Sequence, residues 1–113
     1  MRILLVENHR TFAQVVVERF LSEHEVELAS GVESAWRTLQ ERGGFSVVLV
    51  DYDLDDGKGS ALVARLRGQG FPGRIVAISA HEEGNRALLA AGADAACAKL
   101  CFHRIAELLA FDA

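Results

Sequence analysis

The residues best suited to chemistry are acids, a hydroxyl and an ammonium, each placed where a run of buried-type side chains ends. Phe45-Ser46-Val47-Val48-Leu49-Val50 is almost wholly apolar and stops at Asp51, with Asp53, Asp55 and Asp56 close behind. Carboxylates crowded in this way repel one another, and the repulsion is relieved by a bound cation, by protonation or by splaying into water. Ile3-Leu4-Leu5-Val6 runs likewise into Glu7-Asn8, Ile75-Val76-Ala77-Ile78 into Ser79, and Ala93 to Ala98 into Lys99. Acids, a hydroxyl and a Lys brought to one crevice fit phosphoryl transfer to a carboxylate. Asp51 is the expected nucleophile, forming an acyl phosphate. A hard divalent cation offsets the charge of Asp51 and of the incoming phosphoryl group. Ser79 as a donor and Lys99 as a point charge are then expected to bind phosphoryl oxygens.

These residues meet only if the elements before them are parallel neighbours, and the rest of the pattern says that they are. Short apolar runs alternate with helix-period stretches along the whole chain. Phe12, Val15, Val16 and Phe20 define an amphipathic helix from about His9 to Ser22. Glu25 to Ala29 alternates as a second, less buried strand. Ser30-Gly31-Val32-Glu33 reads as a capping box opening a helix with Val32, Ala35, Trp36 and Leu39 on its apolar face. Further helices are expected from Ser60 to Arg67, Glu82 to Ala91 and Phe102 to Ala110. Near-continuous apolar strands alternating with helices imply a parallel sheet covered on both faces. Right-handed crossovers make the doubly wound α/β arrangement the default. In open sheets of this kind the ligand crevice lies at the carboxyl ends of the strands, where Glu7, Asp51, Ser79 and Lys99 fall.

Composition narrows the function classes. A chain of 113 residues with a net charge of −4 is one domain with one core, read here as a single unit over 1–113. It carries no Lys/Arg cluster or aromatic-basic stripe for nucleic acid. No apolar stretch approaches the ~18 residues of a membrane span, and Met1-Arg2 leads straight into a strand rather than a signal peptide. A cytoplasmic protein is expected. Cys97 and Cys101 do not form a CxxC pair and have no His or Cys cluster beside them, so they read as core or near-core thiols. Asp55 and Asp56 read as a solvated turn, since Asp-Gly is a frequent turn signal. Trp36 is spaced as a core residue, and His9, His24 and His103 as surface ones.

Taken together, Ile3-Leu4-Leu5-Val6-Glu7-Asn8, Val48-Leu49-Val50-Asp51 with Gly59, Ile78-Ser79-Ala80 and Ala91-Gly92-Ala93-Asp94 through Lys99 resemble the receiver domain of two-component response regulators over essentially the whole chain. The resemblance implies a flavodoxin-like, five-stranded parallel sheet in the order 2-1-3-4-5 with helices on both faces. It implies a phosphoacceptor at Asp51, supported by Ser79 and Lys99, and a Mg²⁺ or Mn²⁺ ion held by residues among Glu7, Asn8, Asp51 and Asp53. Asp53 and His81 match positions that tune the lifetime of the phosphoryl group. The implied phosphoryl donor is a sensor histidine kinase or phosphotransfer protein, and the output is a downstream protein target or a fused output domain. Such a domain takes phosphoryl onto itself and is not a turnover enzyme on external substrates; it binds neither nucleic acid nor membrane directly. Dimerisation through the fourth and fifth helices is left open.

The sequence also departs from the family pattern. The usual acidic pair after the first strand is Glu7-Asn8, a neutral amide being a weaker ligand for Mg²⁺; Glu7 reaching inward or Asp53 turning into the site restores a carboxylate. Leu100 replaces the usual proline after the Lys, Ala96 the usual aromatic switch residue, and Asp55 a common proline. These changes motivate an alternative, a phosphorylation-independent interaction module on the same fold. Asp51-Tyr52-Asp53 is also similar to the DxD motif of haloacid-dehalogenase enzymes, but there the motif follows the first strand and here it follows the third.

Overall fold

The computed structural model describes residues 1–109. Its elements are β1 (Arg2–Val6), α1 (Arg10–Phe20), β2 (Glu25–Ala29), α2 (Val32–Glu41), β3 (Val47–Val50), β4 (Asp53–Leu54), β5 (Gly57–Lys58), α3 (Gly59–Gly68), β6 (Arg74–Ala77), α4 (Glu82–Ala91), β7 (Ala95–Ala96), a 3₁₀ segment (Lys99–Arg104) and α5 (Ile105–Leu109). The large sheet is parallel and five-stranded, in the order β2-β1-β3-β6-β7. This is the expected 2-1-3-4-5 arrangement, its numbering shifted by a small antiparallel hairpin, β4-β5, that the sequence reading did not contain.

Alternation of side chains across the pleat sorts the core into two layers. Leu4, Val6, Val48, Val50, Ile75 and Ala77 face α2, α3 and α4, packing on Ala35, Leu62, Val63, Leu66 and Leu88. Ile3, Leu5, Val47, Leu49, Val76 and Ile78 face the other way, onto Ala13 and Val16 of α1 and onto Phe102, Ile105 and Leu109. Each such aliphatic side chain contributes roughly 1.5–3 kcal/mol by leaving water. The register is therefore firmly held, because a one-residue slip would exchange the two layers. Strand ends on both sides of β3 are thereby fixed, and with them the positions of Glu7, Asp51 and Ser79.

Several local expectations are corrected. The N-cap of α2 is Gly31, not Ser30, with Ser34 Oγ accepting from Gly31 N–H (3.1 Å). The main cap comes from far along the chain: Asp56 Oδ1 and Oδ2 accept from Val32 N–H (2.6 Å) and Glu33 N–H (3.0 Å). Asp56 is thus not merely a solvated turn residue. The last strand is only Ala95–Ala96, and α5 is preceded by the 3₁₀ turn; Ala110 of the expected last helix lies outside the described residues.

Candidate functional site

Glu7 directly follows β1, Asp51 directly follows β3, and Ser79 lies just past β6, each carried by a strand buried on both faces. Lys99 begins the 3₁₀ turn after β7. The four side chains meet around a hollow of about 200 Å³ that Asn8, His9, Asp53, Ala80 and His81 also line. Gly59 permits this packing: a β-carbon there would overlap the carbonyl oxygen of Asp51, while its own N–H donates to Tyr52 C=O (2.6 Å). No side chain larger than hydrogen fits at that point.

Asp51 is buried, with Oδ1 accepting from Tyr52 N–H (2.8 Å) and Oδ2 from the Lys99 ammonium (3.0 Å). The same ammonium lies 2.7 Å from Glu7 Oε1 and 4.8 Å from the centre of the Phe12 ring. Glu7 Oε2 accepts from His9 N–H (3.0 Å). Oε1 is buried and makes no well-directed hydrogen bond, so its contact with Lys99 is chiefly Coulombic. Burial pushes the Glu7 carboxyl above its usual range, and the negative charge of Asp51 adds to this; Lys99 and the His9 N–H oppose it without prevailing. Burial by itself would lower the Lys99 pKa, but its close contacts with the Glu7 and Asp51 carboxylates outweigh it, and the net shift is upward.

The hydroxyl of Ser79 is buried and accepts from His81 N–H (3.2 Å). His81 itself is exposed and occupies the N-cap position of α4. Two of the expected ligands are not drawn in. Asn8 is exposed on a bend, and Asp53, though it borders the hollow, forms an ion pair with Lys58 across the hairpin. Among the described residues no group of three or more His, Cys, Asp or Glu is gathered to hold a metal. Glu7 and Asp51 nonetheless suit Mg²⁺, which is ordinarily held by one or two carboxylates together with waters and phosphate oxygens. The buried, poorly satisfied Oε1 of Glu7 is the atom that argues for it, and the Lys99 ammonium now supplies the positive charge between the two acids.

Residues that sequence reasoning passed over also shape the site. Asn85, buried in α4, accepts from Ser79 N–H and donates to Ser79 C=O. Gly84 lets α4 approach, since a β-carbon there would stand 2.5 Å from Ser79 Oγ. The available signal was local: Gly-Asn near the start of a helix is poor helix-forming material and wants a packing reason. The Lys99–Leu100 peptide bond is trans.

A carboxylate, a second acid, a hydroxyl and an ammonium at the ends of a doubly wound parallel sheet define a phosphoacceptor domain. The response regulator receiver domain model matches residues 3–109, and the chain belongs to that family. It is a phosphoacceptor receiver domain of the two-component type. Similar solved structures include a CheY-like receiver domain protein from Methanospirillum hungatei, 23% identical with a TM-score of 0.83, the match covering 96% of this chain and 89% of that one. The response regulator TrrA from Thermotoga maritima, solved in complex with Mg²⁺-BeF, is 21% identical with a TM-score of 0.85, covering 96% and 95%. The non-phosphorylated HemR receiver domain from Leptospira biflexa is 22% identical with a TM-score of 0.80, covering 99% and 96%. No curated protein matches the sequence. Among the described residues no helix is long and apolar enough to cross a membrane.

Proposed function

We propose that Asp51 is the phosphoacceptor of this receiver domain, with Ser79 and Lys99 as the groups that receive the phosphoryl oxygens and Glu7 as its principal acidic partner. The observation that carries this is the Lys99 ammonium held between Glu7 and Asp51. Its positive charge stands between two buried carboxylates, ready to pair with a third negative group. In the transfer, an Asp51 carboxylate oxygen attacks phosphorus and the P–N bond of a donor phosphohistidine breaks, the imidazole leaving with the electron pair. Glu7 and Asp51 are the residues that would hold Mg²⁺, which when bound supplies charge neutralisation at the acyl phosphate. Lys99 then turns its charge to a phosphoryl oxygen and Ser79 donates its hydroxyl to another, while Asp53 and His81 border the same hollow, where they would flank an attacking water.

The donor fits a sensor histidine kinase or a phosphotransfer protein in the cytoplasm, and the product is a change in partner binding rather than turnover of an external substrate. Residues 1–113 are read as one receiver domain. Incubation with Mg²⁺ and acetyl phosphate, followed by intact mass measurement, tests the assignment. One phosphoryl adduct is expected on the wild-type protein and none on Asp51→Asn. An adduct that persists in Asp51→Asn overturns the assignment, and a wild-type protein that takes no adduct points to the phosphorylation-independent module.

A further inference from the structure

Strand β6 ends at Ala77, and the alternation of its ladder fixes where the next residues face. Ile78 N–H reaches Val50 C=O on β3 (3.0 Å), whereas Ala77 C=O accepts from Cys97 N–H on the β7 side (2.7 Å). Ser79 therefore turns its N–H and C=O to the β7 side as well. There β7 has already ended at Ala96, and a side chain meets Ser79 instead. Asn85 Oδ1 accepts from Ser79 N–H (2.8 Å), and Asn85 Nδ2 donates to Ser79 C=O (3.1 Å). One amide thus supplies both bonds of an absent strand partner. The neighbouring Gly84 is so close that a β-carbon would stand 2.5 Å from Ser79 Oγ and 3.0 Å from Tyr52 Cβ. Ser79 can shift only by breaking two buried hydrogen bonds or by taking the start of α4 with it.

We propose that Asn85 is a positioning residue that couples Ser79 to α4. Movement of the Ser79 hydroxyl onto a phosphoryl group at Asp51 is passed to the helix through the Asn85 amide. This rests on the reading of Asp51 and Ser79 given above. Breaking the clamp would leave buried polar groups without partners, so the helix follows the serine. Position 96 holds an exposed Ala, which has no ring to carry the displacement. Downstream of Asn85, Arg86 and Leu89 face a groove that Ala96 and Ala98 also line. A shift of α4 reshapes that groove, giving a two-state element that the site biases.

Amide NMR spectra recorded with and without Mg²⁺ and beryllofluoride test the coupling, using wild type, Asn85→Ala and Asn85→Asp. The Asp variant keeps the volume and the acceptor for Ser79 N–H but replaces the donor arm, and it decides the matter if Asn85→Ala does not fold. In wild type, resonances at Tyr52 and across Arg86 to Leu88 are expected to shift together. In the variants the Tyr52 response remains while the α4 response falls by about fivefold. An α4 response of wild-type size in a folded variant overturns the coupling, as does a wild-type response at Tyr52 with none on α4. Absence of any wild-type response at Tyr52 overturns the reading of Asp51 itself, and this proposal with it.

Discussion

Two charged clusters tie the ends of the sheet together, and they use different cations for different ends. At the carboxyl ends of the strands a single Lys99 ammonium sits between Glu7 and Asp51. At the amino ends the Arg67 guanidinium spreads its donors over Gly92 C=O (2.9 Å), Phe71 C=O (3.0 Å), Gly73 C=O (3.1 Å) and Asp94 Oδ2 (2.6 Å). Asp94 also accepts from Ile75 N–H (2.8 Å), so the network reaches into β6. A planar fork fixed on three carbonyls from two loops cannot let go without stranding backbone groups. A point charge on a flexible stem, held by two carboxylates and by no backbone carbonyl among its described contacts, can change partner. The molecule is stapled at the amino ends of the sheet and more loosely pinned at the carboxyl ends, where the proposed phosphoryl group would enter.

The contrast can be broken by comparing the two cations directly. Arg67→Ala is expected to have the largest effect on stability, a loss of about 2–4 kcal/mol in denaturant unfolding, with adduct formation per folded molecule unchanged. Lys99→Met is expected to reverse that profile. Its stability loss should be about 1 kcal/mol, because Glu7, already pushed up by burial, takes a proton rather than remaining an unpaired buried charge. Phosphorylation by acetyl phosphate should fall by more than about tenfold. If Lys99→Met unfolds as early as Arg67→Ala, the contrast is wrong. The folded pKa of Lys99 is raised, so the stability it adds is present below its ordinary 10.5 and is lost as pH climbs through the higher folded value. Wild type and Lys99→Met should therefore converge only in strong alkali.

The smallest effect is expected at Asp56, whose carboxylate is held below its ordinary 3.8 chiefly by the N–H groups of Glu33 and Val32. Its contribution is present above that value and is lost as pH falls through the folded pKa. Asp56→Asn should lower the melting temperature slightly at neutral pH and flatten the acid limb of the stability curve. An unchanged acid limb would mean that the cap contributes nothing in solution.

The fold was legible because its buried strands are written as uninterrupted apolar runs, and the polar residue ending each run marks the site edge. Glu7, Asp51, Ser79 and Lys99 could be placed together on that basis. What stayed hidden were contacts made by side chains to distant backbone. Asp56 caps a helix that begins many residues earlier, and no local pattern distinguishes it from a turn aspartate. Asn85 satisfies a strand end from inside a helix, a role that periodicity does not encode. Asp53 looked like a site acid because it stands near Asp51 in sequence. The hairpin register sets it opposite Lys58, with which it forms an ion pair.

The Asp56 cap links the loop after Asp51 to an optical signal. Glu33, whose N–H it binds, forms an ion pair with Arg65 (2.9 Å), and the Arg65 guanidinium lies 4.0 Å over the ring of Trp36. Trp36 is the only tryptophan in the chain. The protein thus carries a built-in optical reporter, its indole emission linked by a short chain of contacts to the hairpin that follows Asp51.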